Sequence, residues 1–283
     1  MQHYDGKVVV VTGAAHGIGA EVARRYAAAG AALGLFDIDG PALKESADAL
    51  RAAGATVLDR EGDVADASAL LAFADAVFAQ LGRVDVLYAN AGVISAGTVW
   101  DEPAPDWDWL LDVNVKGLVH ATSAFVPRMT AQAFRSDVVN TCSIAGLLTV
   151  ENSPAYVASK FAALGMTEVL DLQLQTVGSP VRAHAVCPAI IQTDLAHCNE
   201  HRDQPGFDPT AYPYLSSEDY RRRWAVVEGS LPLGMPLADA VDTIIDGVEK
   251  DTFLILTHPA YNPAILGRVQ LLLSGAHPQL VQR

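Results

Sequence analysis

The sequence predicts a single-domain α/β protein of Rossmann-like architecture, a doubly wound, seven-stranded parallel sheet with helices on both faces. Short β-branched or apolar runs alternate with longer amphipathic segments along most of the 283 residues. That rhythm calls for right-handed crossovers, which make neighbouring strands parallel and cover both sheet faces. A glycine cluster, Gly13, Gly17 and Gly19, sits between the first run and the first amphipathic segment, where such sheets bind phosphate.

Taken in order, Lys7–Thr12 is β-branched and reads as the first strand. Gly17–Ala29 is a helix stopped by Gly30, and Ala32–Asp37 a second strand. Pro41–Ala53 begins with proline and ends before Gly54, as helices do. Ala55–Arg60 is a strand, and Asp66–Leu81 a helix capped by Asp66 and ended by Gly82. Val84–Ala89 is a fourth strand. A long helix spans Asp106–Ala133, with Pro127 kinking it or marking its last turns. Val138–Ser143, helix Ala155–Thr176, strand Val181–Cys187, helix Met235–Lys250 and strand Phe253–Thr257 complete the alternation. No linker or repeat divides the chain, so residues 1–283 read as one domain. Thr193–Leu233 breaks the rhythm. It is long, rich in proline, and carries Phe207, Tyr212, Tyr214, Tyr220 and Trp224, which marks it as a candidate substrate-binding lid.

With 51% hydrophobic residues the chain fills a large core, and its net charge of −14 repels nucleic-acid phosphate and anionic lipid. Neither nucleic acid nor membrane is expected as a partner. Cys142, Cys187 and Cys198 show no metal-ligand spacing, so no metal is expected. Buried thiols, no signal peptide and no membrane-length apolar run make the cytoplasm the expected compartment.

Thr12 to Gly19 reads Thr-Gly-Ala-Ala-His-Gly-Ile-Gly. Gly13 suits a tight turn, Gly17 a close backbone approach to pyrophosphate, and Gly19 close packing of helix on sheet, with His16 and Ile18 between them. Asp37 ends the second strand 18 residues after Gly19. A carboxylate there accepts from both ribose hydroxyls and repels a 2′-phosphate, favouring NAD over NADP. A positively charged His16 would soften that preference. Asp63-Val64 and Asn90-Ala91-Gly92 follow later strands on the same edge. Each alone reads more readily as a turn than as a ligand contact, and their common edge is what raises them.

Tyr156 and Lys160 share one helix face at spacing i, i+4, 13 residues after Ser143 at the end of a strand. Alcohol oxidation needs a base, and free tyrosine has a pKa of about 10. A nearby ammonium lowers a phenol by about 1–3 units, the positive nicotinamide ring adds to this, and Ser143 hydrogen-bonds the substrate oxygen.

These motifs resemble the short-chain dehydrogenase/reductase family over about Lys7 to Thr257. The resemblance implies a catalytic tetrad of Asn114, Ser143, Tyr156 and Lys160, with Asn114 holding a water and Lys160 also holding the nicotinamide ribose. It assigns Asp63 to adenine, Ile190 and Thr193 to the nicotinamide end, and implies a homodimer or homotetramer joined through the long helices. Pro188-Ala189 stands where the family has Pro-Gly, and alanine resists positive φ.

The function expected is an NAD(H)-dependent oxidoreductase interconverting a hydrophobic secondary alcohol (aromatic, alicyclic or steroid-like) and its ketone. Arg221-Arg222-Arg223 is a carboxylate-greeting run or, as such runs more often are, a solvated helix face or an interface. The alternatives are a non-catalytic dinucleotide-binding sensor or scaffold, and an epimerase or dehydratase on the same fold.

Overall fold

Five consecutive residues, Val8–Thr12, form strand β1, and every one is buried. Such a strand is covered on both faces, as a central parallel strand must be. Val8 and Val10 pack into one core cluster, Val9 and Val11 into the other. The computed structural model describes residues 3–202 and 207–279.

Helix α1 (Gly17–Ala28) follows, then β2 (Ala32–Asp37), α2 (Gly40–Ala52), β3 (Val57–Glu61), α3 (Ala67–Leu81) and β4 (Val86–Ala89). Asp39 caps α2 by accepting from Ala42 N, and Asp66 caps α3 by accepting from Ser68 N and Ala69 N. After α4 (Ala104–Leu111), a wider π turn, Asp112–Lys116, leads into α5 (Gly117–Ala131). Then come β5 (Ser136–Thr141), α6 (Pro154–Thr176), β6 (Val181–Cys187), α7 (Glu218–Ser230), α8 (Leu237–Glu249), β7 (Leu254–Leu256) and α9 (Asn262–Leu273).

All seven strands are parallel, in the order β3-β2-β1-β4-β5-β6-β7. Helices α1, α2 and α8 cover one face through Val22, Tyr26, Leu43 and Ile244. Helices α3 to α6 cover the other through Phe73, Leu110, Phe125 and Leu164. The predicted fold class is the observed one.

Three local expectations change. The long helix predicted at Asp106–Ala133 is interrupted at Asp112–Lys116, while Pro127 lies within the last turns of α5. Residues 193–233 are not one irregular stretch: they contain short 3₁₀ turns and α7, which Ser217 caps by accepting from Tyr220 N. Residues 203–206 of that segment lie outside the described residues. Helix α9, unpredicted, contributes no buried side chain. Among the described residues, no helix is long and apolar enough to cross a membrane.

Candidate active site

Strand order reverses between β1 and β4, and open parallel sheets hold ligands outside such a reversal. A cleft there is lined by Gly13, His16, Gly17, Ile18, Asp37, Asp63, Val64, Asn90, Ala91 and Gly92 at one end. Ser143, Tyr156, Lys160, Pro188 and Thr193 line the other. These predicted residues are separated by up to 180 positions (13 to 193) and meet because parallel strands end together.

At the first end, two glycines are required by space. Gly13 has φ +64°, and a Cβ there would lie 2.7 Å from Ala91 Cα. A Cβ on Gly19 would lie 1.9 Å from the Gly13 carbonyl oxygen, so this glycine, just behind the cleft wall, lets α1 seat against the turn. Asp37 is held by two backbone donors, Ala15 N at 2.8 Å and Asp39 N at 2.9 Å. It presents a fixed carboxylate beside a backbone turn open to an anion. Asn90 ties strand ends together: its Nδ2 donates to Gly13 O at 3.1 Å, and its Oδ1 accepts from Thr141 Oγ1 at 3.0 Å.

At the other end, Lys160 is 3% exposed and donates from Nζ to Thr141 O at 3.0 Å. Nζ lies 5.6 Å from the Tyr156 ring centroid. Burial pushes the Tyr156 phenol up to about 12, with a hydrogen bond to Ser143 opposing. Burial also pushes Lys160 down to about 8. The sequence-based expectation that the ammonium brings the phenol down is thus outweighed, among the protein's own groups, by desolvation. Ser143 Oγ accepts from Ala145 N at 3.0 Å.

Asn114 is wholly buried behind this end. The π turn inserts one extra residue per turn and directs its amide inward. Oδ1 accepts from Val93 N, and Nδ2 donates to Val93 O, both at 2.9 Å, and to Ser159 Oγ at 3.0 Å.

Ile190 does not line the cleft. It is 40% exposed, and its carbonyl accepts from Met235 N. Ile191, buried at 3% and bridged to Met235, forms the wall instead. Ala189 avoids the strain expected of it, because positive φ among described non-glycine residues occurs at Ala133 and Asp251.

The apolar wall beside Tyr156 comes from Val93, Trp109, Val113, Leu195, Cys198 and Leu231. The aromatics singled out in the sequence are not in it. Tyr220 stacks on Trp224 and Phe207 on Tyr212. Arg202 lies 3.5 Å from the Phe207 ring and bonds Asp106 at 2.6 Å, pinning the segment to α4. The arginine run is engaged within the protein, Arg223 also reaching Glu151 O and Asn152 Oδ1. Arg222 and Arg223 pair with Asp219, and Arg221 donates to Ser216 O.

Residues that sequence reasoning missed include Thr141, which receives Lys160, and Glu102. Buried at 6%, Glu102 accepts from Ala155 N at 3.2 Å and from Ser95 Oγ. Nothing in the sequence marks Glu102, because one partner, Ala155, lies 53 residues away and the other, Ser95, is a single hydroxyl seven residues back.

A Rossmann-like sheet gathering serine, tyrosine and lysine at its carboxyl edge defines an oxidoreductase of the dehydrogenase class. Residues 7–204 match the short chain dehydrogenase family. The chain is 36% identical over 280 residues to a CLA biosynthesis dehydrogenase/reductase of Lactiplantibacillus plantarum, covering 99% of this chain and 98% of that one. It is 38% identical over 197 residues to a D-threitol dehydrogenase of Mycolicibacterium smegmatis, covering 68% and 73%. A crystal structure of a Burkholderia phymatum short-chain dehydrogenase/reductase in complex with NAD superposes with a TM-score of 0.94 at 32% identity, covering 100% of both chains. The protein belongs to the short-chain dehydrogenase/reductase family.

Proposed function

We propose that the protein is an NAD(H)-dependent oxidoreductase that interconverts a hydrophobic secondary alcohol and its ketone, with Tyr156 as general base and acid. The observation that carries this reading is the convergence of Ser143, Tyr156 and buried Lys160 on one cleft with the glycine turn and Asp37. The NAD complex of the Burkholderia phymatum relative supports the cofactor. So does the fit of the residues: Gly13 and Gly19 leave a backbone cradle that a Cβ would fill, and Asp37 offers a carboxylate to ribose hydroxyls. Asp63 and Val64 flank the adenine end, and Asn90, Ala91 and Gly92 line the floor. Pro188, Ile191 and Thr193 take the nicotinamide end, with Ile191 in place of Ile190.

Bound nicotinamide supplies the two-electron hydride acceptor or donor. The chain's residues do the rest. Ser143 Oγ hydrogen-bonds the substrate oxygen. Tyr156 Oη takes the hydroxyl proton as the carbon loses hydride, and returns it in reduction. The Lys160 ammonium stabilises the tyrosinate electrostatically. Asn114, fixed by three hydrogen bonds, holds the π turn beside Lys160. Val93, Trp109, Val113 and Leu195 receive the apolar body of the substrate and exclude water.

Residues 1–283 act as one domain, with 193–233 as its lid, working in the cytoplasm as a homodimer or homotetramer. Purified protein is offered NAD+ and NADP+ with a panel of aromatic, alicyclic and aliphatic secondary alcohols, and NADH absorbance is followed. Turnover with NAD+ that Tyr156→Phe abolishes is expected. NAD+ binding without turnover across the panel would favour the sensor reading. Product isomerisation without net NADH would favour the epimerase.

A further inference from the structure

Three side chains at the adenosine end converge from unrelated parts of the chain: His16 in the glycine loop, Asp39 at the start of α2, and His201 in the lid. Their ligand atoms all lie within 4.8 Å of one another. We propose that they bind a divalent transition-metal ion of the zinc class, which ties the lid to the cofactor loop.

The donor set is two imidazoles and one carboxylate, which suits zinc and its neighbours rather than magnesium or calcium, since those prefer all-oxygen shells. Spacing agrees. His16 Nε2 to Asp39 Oδ2 is 2.8 Å, and His201 Nδ1 to the same oxygen is 3.7 Å. Tetrahedral ligands at zinc distances stand about 3.3 Å apart, so each histidine shifts about half an ångström relative to Asp39, and the two imidazole nitrogens, within 4.8 Å of each other, close by at most about 1.5 Å. The groups are half-buried, with side-chain exposures of 39%, 14% and 36% for His16, Asp39 and His201.

The surroundings are ordered as metal sites are. Asp194 Oδ2 sits 3.2 Å from Nδ1 of His16. A carboxylate there holds the proton on Nδ1 and leaves Nε2 free to bind metal. The Asp39 carboxylate divides its labour: Oδ1 caps α2 through Ala42 N at 3.1 Å, leaving Oδ2 to the site. The two imidazoles face each other with ring planes 29° apart and centroids 5.5 Å apart. Three protein ligands leave a fourth position to water.

Zn2+ and Co2+ are titrated into the full-length, chelator-stripped protein, with competition against a chromophoric chelator, and Co2+ absorption bands report coordination geometry. The expected result is one ion per chain with tetrahedral bands. Binding is lost in His201→Ala and kept in His197→Ala, an exposed pair partner of Glu200. Asp194→Asn weakens binding by about 10- to 100-fold. Zn2+ slows amide hydrogen exchange over residues 195–201 in the wild type and not in His201→Ala. The melting temperature of each variant in chelator checks folding. If His201→Ala proves unfolded, His201→Gln in its place reads the same loss. Absence of stoichiometric binding, or binding that His201 replacement leaves unchanged, overturns the proposal.

Discussion

Replacing Lys160 with methionine separates electrostatic tuning of Tyr156 from mere cofactor holding. Nζ lies 5.6 Å from the phenol ring centroid. At an effective dielectric constant of about 20, attraction between an ammonium and a tyrosinate at that distance is about 3 kcal/mol. At about 1.4 kcal/mol per unit, this is roughly two pKa units. In the proposed reaction oxidation uses the deprotonated phenol, so its rate rises with pH through the kinetic pKa. Below about pH 8, where Lys160 keeps its charge, removing the ammonium raises that pKa and moves the limb about two units higher. At a pH below both values, oxidation therefore falls about a hundredfold. Reduction uses the protonated phenol and falls less at neutral pH. The assay is kcat/KM from NADH absorbance, measured from mildly acidic to strongly alkaline pH for both proteins. Methionine leaves the Thr141 carbonyl without its Nζ donor, so melting temperatures are compared in parallel. An acid limb at the same pH in both proteins, with the loss confined to the plateau, would refute the electrostatic reasoning.

Asp37→Asn keeps an acceptor for Ala15 N but removes the charge proposed to face the ribose. The NADP+ to NAD+ ratio of kcat/KM should rise about tenfold or more, equivalent to about 1.4 kcal/mol; an unchanged ratio places selectivity elsewhere. Asn114→Ala orphans the Val93 amide and carbonyl and removes a donor to the Ser159 hydroxyl, which still donates to Tyr156 O. A stability loss of about 2–4 kcal/mol is expected, read as a drop in the denaturant midpoint, together with reduced kcat. Burial raises the Glu102 pKa, so its contribution to stability is fully present below the unfolded carboxylate pKa and lost as pH rises through the folded one. Glu102→Gln should match or exceed wild-type melting temperature at neutral pH and lose that advantage in acid. Glu102→Ala, which leaves Ala155 N unpaired, should melt lower throughout.

Legibility in the sequence followed the range of the interactions. Strand β1 and helix α3 were readable because β-branched runs, an Asp cap and a terminal glycine are local signals. Gly13, Gly17, Gly19, Asp37, Tyr156 and Lys160 could be named because each follows a strand or shares a helix face. Asn114 came only from family resemblance, since nothing in Asp-Val-Asn-Val-Lys announces a π turn. Helix α7 was hidden because its charged, aromatic sequence buries only Val227. The lid aromatics misled because stacking on one another is indistinguishable, in sequence, from facing a substrate. Ile190 and Ile191 are chemically alike, and only the backbone path past Met235 decides which one turns inward. Glu102 and the His16–Asp39–His201 cluster depend on contacts between distant segments, for which a single sequence carries no sign.

The side chain of Asn90 has a wider consequence. Its amide holds the Gly13 carbonyl on one side and the Thr141 hydroxyl on the other, and the Thr141 carbonyl in turn holds Lys160. The turn proposed to hold phosphate and the amine proposed to steady the proton carrier are therefore joined by one polar chain. A nudge to the first turn reaches the amine through three polar links, without crossing the hydrophobic interior. In the proposed reaction such a chain would make the order of events matter, with the nucleotide bound ahead of the alcohol.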